Sequence, residues 1–218
     1  MKTLNFKILS LALLVAGTTC LTMSCKKDEP VMPVKAETKT IEAKDVTPYD
    51  KWFYFSFEDD KFVGEGAADP EVGDDAEWAN RTDWDIAFHR QNVRTNSGTS
   101  GKGAGGILAL ETEDFDAVKS VDLTTFEADA IVDESILAEF VMPPVYVSSS
   151  INAVANNWAI LDHASKTWSI AKKNVFIVKT AKGKYAKIQF LNFLNDQDKS
   201  GYLTLKYAFQ KDGSTKFE

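Results

Sequence analysis

The sequence predicts an all-β fold, a single antiparallel β domain with minor short helices. The first observation is that short runs of aromatic and β-branched residues recur from Tyr49 onward. The second is that many of these runs alternate between apolar and polar residues, as half-buried strands do. The third is that the segments between them contain Gly, Asn and Asp, which hairpin turns require. Residues 49–218, roughly 170 residues, suffice for one hydrophobic core.

The predicted strands are short, and most are separated by polar turn segments. In chain order they are 52–57, 84–89, 106–111, 135–141, 156–162, 167–171, 174–180, 184–194 and 201–210. Two segments, 113–120 and 149–156, are predicted to form short helical pieces, neither long enough to define the fold. The chain contains no internal repeat.

The first 24 residues are predicted to be a lipoprotein signal peptide. Lys2 and Lys7 accompany an apolar run, residues 8–17, of about 10 residues, whereas a spanning helix needs about 20. Small residues then lead to Cys25, and this arrangement resembles a bacterial lipoprotein signal in which the cysteine is acylated. Two or three acyl chains would hold the protein on a membrane without a transmembrane helix. Ordinary soluble export with nearby cleavage is the alternative.

The segment that follows, residues 25–48, is predicted to be a lipidated flexible tether. It mixes Pro, Lys, Glu and Thr, has few apolar residues and contains no aromatic residue. Such a composition cannot bury enough apolar surface to order the backbone. The β domain is therefore predicted to begin at residue 49. The acidic pair Asp28 and Glu29 resembles a surface-export signal of lipoproteins from Gram-negative anaerobes.

Composition excludes several classes of function. Cys20 is removed with the signal and Cys25 is capped by lipid, so the domain lacks a disulfide, a Cys-ligated zinc site and a cysteine nucleophile. The formal net charge is −7 and becomes more negative when Lys2 and Lys7 are removed, which argues against nucleic-acid binding. No nucleophile–base grouping or matched carboxylate pair is present, so an enzyme is not predicted.

The stretch from residue 84 to residue 106 contains two features that resemble active-site motifs. Gly101, Gly103 and Gly106 match G-x-G-x-x-G, but a strand-like run follows where phosphate binding needs a helix N-terminus. The glycines are therefore interpreted as a turned or flexible connection between strands. His89 is interpreted as a structural histidine that hydrogen bonds to Asp85, Asn92 or the backbone.

The run "WDIAFHRQNVRTNSGTSGKGAGG", residues 84–106, resembles a segment of the HmuY-type haem-binding lipoproteins. The resemblance extends to residues 52–57, 158–180 and 184–193 and to the Cys-anchored N-terminus. It implies an all-β domain that takes haem from host haem proteins and passes it to a TonB-dependent outer-membrane receptor. It also implies a surface-exposed protein anchored to the outer membrane by lipid alone, of which a part can also be released from the cell.

Haem bound without attached cysteines needs axial ligands from His, Met, Tyr or Cys. The mature domain contains Met142, His89 and His163, besides its tyrosines. The family resemblance assigns one axial histidine to His163, which follows "WAILD". The second ligand is less defined: Met142 is the candidate, Tyr146 is an alternative, and Met142 as a core gap-filler is also open.

Four aromatic side chains close to these residues in sequence are predicted to line the haem pocket. A porphyrin face is apolar, so aromatic walls suit it. The four are Phe140, Tyr146, Trp158 and Trp168. A different class of function, a surface β domain for protein or polysaccharide attachment, is the alternative, and it predicts no gap between the two ligand segments.

Overall fold

The computed structural model describes residues 35–122 and 125–217. Their regular secondary structure consists of thirteen strands, paired antiparallel, and one short helix. The predicted all-β class is confirmed. The largest sheet has five strands in the order β1–β13–β12–β11–β6. Its strands are β1 (Thr38–Asp45), β6 (Gly106–Leu110), β11 (Val175–Lys179), β12 (Tyr185–Leu194) and β13 (Ser200–Gln210).

A second sheet has four strands in the order β3–β2–β4–β5, and two separate hairpins complete the strands. The four-stranded sheet contains β2 (Lys51–Ser56), β3 (Lys61–Ala67), β4 (Ile86–His89) and β5 (Asn92–Thr95). The hairpins are β7 (Ala130–Glu139) with β8 (Val145–Ile151), and β9 (Ala159–Asp162) with β10 (Thr167–Ile170). The one helix of the described residues, α1, is Asp75–Asn80, and no described helix is long and apolar enough to span a membrane.

The main core lies between the two large sheets and is rich in phenylalanine. Phe190 of β12 is at its centre: its ring stacks on Trp158 with centroids 4.2 Å apart, and its edge contacts Phe88 and Phe176. A second cluster on the other face of the four-stranded sheet packs Tyr54 and other residues around Trp78 of α1. Because β4 has a buried cluster on each side, all four of its residues are buried.

The predicted boundary between tether and domain is wrong, because residues 38–45 form β1 at the edge of the five-stranded sheet. The strand pairs antiparallel with β13, from Thr38 opposite Ala208 to Asp45 opposite Tyr202. Ile41 packs against the main core. Pairing with an existing strand satisfies the backbone of a segment whose composition alone could not order it. The predicted signal peptide, Cys25 and the tether up to residue 34 lie outside the described residues.

Neither segment predicted to be helical forms a helix. In 113–120 the Asp114 carboxylate accepts hydrogen bonds from the backbone N–H groups of Asp116 and Ala117. The buried Lys187 ammonium then donates to the carbonyls of Phe115 and Val118. These side chains satisfy backbone groups that a helix would use, so the segment is a turn. In 149–156 the first residues belong to β8 and the rest form turns.

The glycine run closes tightly around Asn96. The backbone N–H of Gly103 donates to the Asn96 side-chain oxygen at 2.9 Å, and that of Gly105 donates to the Asn96 carbonyl at 3.0 Å. A Cβ at Gly103 would lie 2.6 Å from the Asn96 carbonyl oxygen, so a larger residue does not fit there. The connection ends in strand β6, as the sequence predicts. The same connection also contains strand β5, which is not among the predicted elements; β3, β8 and α1 are also additional to them.

His89 is a structural residue at the end of β4, with 1% of its surface exposed. Its Nε2 donates to the Tyr49 carbonyl at 2.7 Å, and its Nδ1 faces the Asn92 amide nitrogen at 3.4 Å. Its ring packs at 5.4 Å from Trp52. Burial lowers the pKa of the His89 imidazole to about 4, because the charged form would lose its hydration.

We expect Phe190→Ala to reduce the free energy of unfolding by about 3–5 kcal/mol, the usual loss when a buried aromatic ring is removed. The neighbouring Leu191, which is 44% exposed, provides a matched control on the same strand. Leu191→Ala should reduce the free energy of unfolding by less than about 1 kcal/mol. Urea unfolding of both variants measures the difference. Equal losses of unfolding free energy in the two variants would contradict a large contribution of the phenylalanine core to stability.

The pH dependence of stability tests the buried state of His89. In the unfolded chain His89 takes up a proton below about pH 6.5, but in the folded protein it does so only near pH 4. The contribution of His89 to the free energy of unfolding therefore falls by about 3 kcal/mol as the pH is lowered from 6.5 to 4. Burial raises the pKa of Asp85 and Asp129, which acts in the opposite direction. Comparison with His89→Gln separates the two effects, because the carboxylates are present in both proteins. Urea unfolding at pH 7 and pH 4.5 should show a smaller acid loss in His89→Gln, and parallel profiles would contradict the assignment.

Candidate functional site

A cavity of about 500 Å³ lies where five separate parts of the chain meet. This volume is within the range of about 300–1,000 Å³ that small-molecule pockets occupy. Its apolar and aromatic lining consists of Tyr49, Leu137, Phe140, Tyr146, Ala159, Leu161 and Trp168. Its polar lining consists of His89, Arg90, Gln91, Asn92, Ser135, Asn156, His163 and Ser200. Polar and apolar residues therefore contribute to the lining in about equal number.

His163 lies in the turn of the β9–β10 hairpin and lines the cavity. The Asp162 carboxylate shapes this turn by accepting a hydrogen bond from the backbone N–H of Ala164 at 2.8 Å. The His163 side chain is exposed, and its ring makes no hydrogen bond to any described residue. An exposed imidazole at the edge of a cavity, with both ring nitrogens free of hydrogen bonds to described residues, is chemically able to bind a metal.

The β7–β8 hairpin forms another side of the cavity. Phe140, just after β7, and Tyr146 in β8 both line it, although 75% and 52% of their surfaces are exposed. Met142 lies between them at the tip of the hairpin and is 92% exposed. Its side chain does not belong to the cavity lining, and it fills no gap in the core.

The two predicted tryptophans occupy different places. Trp168 in β10 lines the cavity and also packs edge-on against Phe193 of the core. Trp158 is fully buried and does not line the cavity. Its Nε1 donates to the Gln91 carbonyl at 2.8 Å, and its ring stacks on Phe190. Trp158 thus lies in the core and contacts the cavity lining through Gln91.

Several cavity residues were not predicted from the sequence. Tyr49 stacks on Phe140 with ring centroids 5.6 Å apart, and the Arg90 guanidinium lies 4.4 Å above the Tyr49 ring. Arg90 occupies the two-residue turn between β4 and β5, and Ser200 begins β13. Because β5 was not among the predicted strands, the β4–β5 turn was not predicted either, although Arg90 stands there where Gly or Asn is usual.

The cavity offers one imidazole for a metal, since both ring nitrogens of His89 already face protein groups. Within residues 35–122 and 125–217, no group of three or more His, Cys, Asp or Glu side chains is placed to hold a metal ion. A bare divalent cation therefore finds no ready-made ligand set in this part of the chain. A metal that brings its own equatorial ligands, as a metalloporphyrin does, needs only one or two axial groups.

Solved structures with the same fold come from several bacteria. A Bacteroides fragilis protein described as a lipoprotein matches with a TM-score of 0.67 and 21% identity, over 82% of this chain and 93% of its own. A Bacteroides vulgatus protein described as HmuY-like and haem-binding matches with a TM-score of 0.64 and 24% identity, over 82% and 97%. An HmuY analogue of Tannerella forsythia matches with a TM-score of 0.60 and 25% identity, over 84% and 99%. A comparison with curated proteins finds no match.

A model of the family described as HmuY protein matches residues 48–207. The match spans the four-stranded sheet, both hairpins and the five-stranded sheet except for β1 and the end of β13. It includes the run at residues 84–106 on which the sequence resemblance rests. The chain belongs to the HmuY protein family.

Proposed function

We propose that this protein is a haem-binding surface lipoprotein that binds haem in the cavity between its two hairpins. The observation that supports this most directly is the exposed His163 imidazole on the wall of a cavity of about 500 Å³. The aromatic rings of Phe140, Tyr146 and Trp168 supply apolar surfaces that suit a porphyrin. Membership of the HmuY family and the likeness to a protein described as haem-binding agree with this proposal.

His163 is the proposed axial ligand. Its turn projects from the β9–β10 hairpin, which Trp168 holds against Phe193 of the core. A neutral imidazole nitrogen can bind the iron directly, and water can accept a hydrogen bond from the other nitrogen because the side chain is exposed. Ligation therefore needs no rearrangement of the buried core.

Met142 is the proposed second ligand. Its neighbours Phe140 and Tyr146 line the cavity, so the hairpin tip lies beside the site. Because the Met142 side chain lies outside the cavity lining, ligation requires the tip to turn inward. A thioether favours ferrous iron, so a His/Met pair would raise the reduction potential of the haem. Tyr146 remains the alternative ligand from the same hairpin.

The proposal includes a location and partners. A lipid on Cys25 would anchor the protein to the outer membrane, with the domain exposed to take haem from host proteins. A TonB-dependent receptor would then accept the haem. A cavity between the ligand-bearing hairpins is what haem binding requires, whereas an attachment domain has no need of it.

Titration of the purified protein with haemin, oxidised and then reduced with dithionite, tests the ligand role of His163. We expect wild type to give a low-spin spectrum that His163→Ala loses, with affinity falling by more than about tenfold. Added imidazole should restore the low-spin spectrum, because it can occupy the space that the side chain leaves. A free-haemin Soret band for wild type in both redox states would exclude haem binding. A low-spin spectrum in His163→Ala would exclude only the ligand role of His163 and would leave haem binding itself supported.

The second ligand is tested by comparing Met142→Ala with Tyr146→Phe in the same titration. We expect Met142→Ala to weaken ferrous haem more than ferric haem and to lower the reduction potential. Tyr146→Phe keeps the aromatic wall but removes the hydroxyl, so it should leave both spectra unchanged. The opposite result would make Tyr146 the ligand. Unchanged ferrous binding in Met142→Ala would exclude Met142.

A further inference from the structure

Arg90 is a buried cation on the cavity wall that forms no ion pair with any described carboxylate. It lines the cavity and has only 8% of its surface exposed. The ion pairs of the described residues do not include it. Asp45 acts on it only through space. Burial lowers the pKa of the Arg90 guanidinium, because the loss of hydration outweighs the effects of Tyr49 and Asp45.

The guanidinium is held in place but keeps free donors. Its Nη1 donates to the Thr47 carbonyl at 3.0 Å, and its Nη2 donates to the Ser200 hydroxyl at 3.1 Å. Its Cζ lies 4.4 Å from the centroid of the Tyr49 ring. A guanidinium has five N–H groups, so three remain without a partner among the described residues. A fixed, water-poor cation with unused donors suits a carboxylate, which accepts paired hydrogen bonds from such a group.

The backbone of Arg90 gives a second, independent observation. His89 pairs with Asn92, which leaves Arg90 and Gln91 as a two-residue turn, and Arg90 has a left-handed φ of 50°. Glycine or asparagine adopts this conformation at lower cost. Non-glycine residues held in such conformations often lie at ligand clamps. The turn thus places a long cation at the cavity at some cost in backbone strain.

We propose that Arg90 binds a carboxylate of the ligand, so that the propionate edge of a porphyrin lies at the β4–β5 turn. This inference rests on the proposed function, because it concerns which chemical groups of a ligand the same cavity recognises. It makes the carboxylates, not the iron alone, a determinant of what the cavity accepts. Metal-free porphyrins with free propionates are therefore ligands as well.

The test compares metal-free protoporphyrin IX with its dimethyl ester, in the same detergent, by Soret absorbance and tryptophan quenching. We expect the purified wild-type protein to bind the diacid at least about tenfold more tightly than the ester. Arg90→Gln should weaken diacid binding by about 10- to 100-fold and leave ester binding unchanged. Arg90→Lys should retain part of the difference. Lys173→Gln, which removes an exposed cation paired with Glu111 outside the cavity, should change neither affinity.

Equal wild-type affinities for the diacid and the ester would overturn the inference, and this comparison needs no variant to fold. Equal losses for both ligands in Arg90→Gln would also overturn it, since they would assign Arg90 a purely structural role through Thr47 and Ser200. A diacid preference together with a free-haemin spectrum would support the Arg90 site and reject haem ligation. A low-spin haemin spectrum without a diacid preference would support haem ligation and reject the Arg90 site.

Discussion

The position of one indole, Trp158, determines how the cavity is assembled. Its ring stacks on Phe190 of the five-stranded sheet, and its Nε1 donates to the Gln91 carbonyl in the β4–β5 turn. Its own carbonyl accepts a hydrogen bond from the backbone N–H of Ala171, which closes the β9–β10 hairpin. One buried side chain therefore joins the hairpin that contains His163 to the turn that contains Arg90. These are two of the cavity's walls, and Trp158 connects both to the core.

The rest of the scaffold depends on buried polar groups that organise irregular connections. The Asp129 carboxylate accepts hydrogen bonds from the Thr95 backbone and hydroxyl and from the Ser100 and Asn152 side chains. Asn96 does the same for the glycine loop that follows β5. Buried polar groups with satisfied partners specify one arrangement, because each alternative would leave a group without a partner. Within residues 84–106 the glycine loop after β5 is therefore part of the scaffold, whereas the β4–β5 turn with Arg90 lines the cavity.

The two sides of the cavity differ in how firmly they are held. Arg90 and His89 lie on a hairpin with buried residues at every strand position. The β7–β8 tip is exposed, and Phe140 contacts the opposite wall through its stack on Tyr49. A rigid wall that faces an exposed, apolar hairpin is suited to a ligand that enters from solvent and is covered afterwards.

Sequence alone determined the fold class, nine of the strands and the placement of His163 in a hairpin turn, because these depend on local alternation and on turn residues. It also identified the family from residues 84–106. The tertiary structure decided what local patterns cannot encode. Strand β1 exists because β13 offers it a partner, Trp158 is core because Phe190 lies behind it, and Arg90 reaches the cavity because residues far apart in sequence surround it. Each of these is a contact between distant segments, and such contacts form only when the whole chain packs.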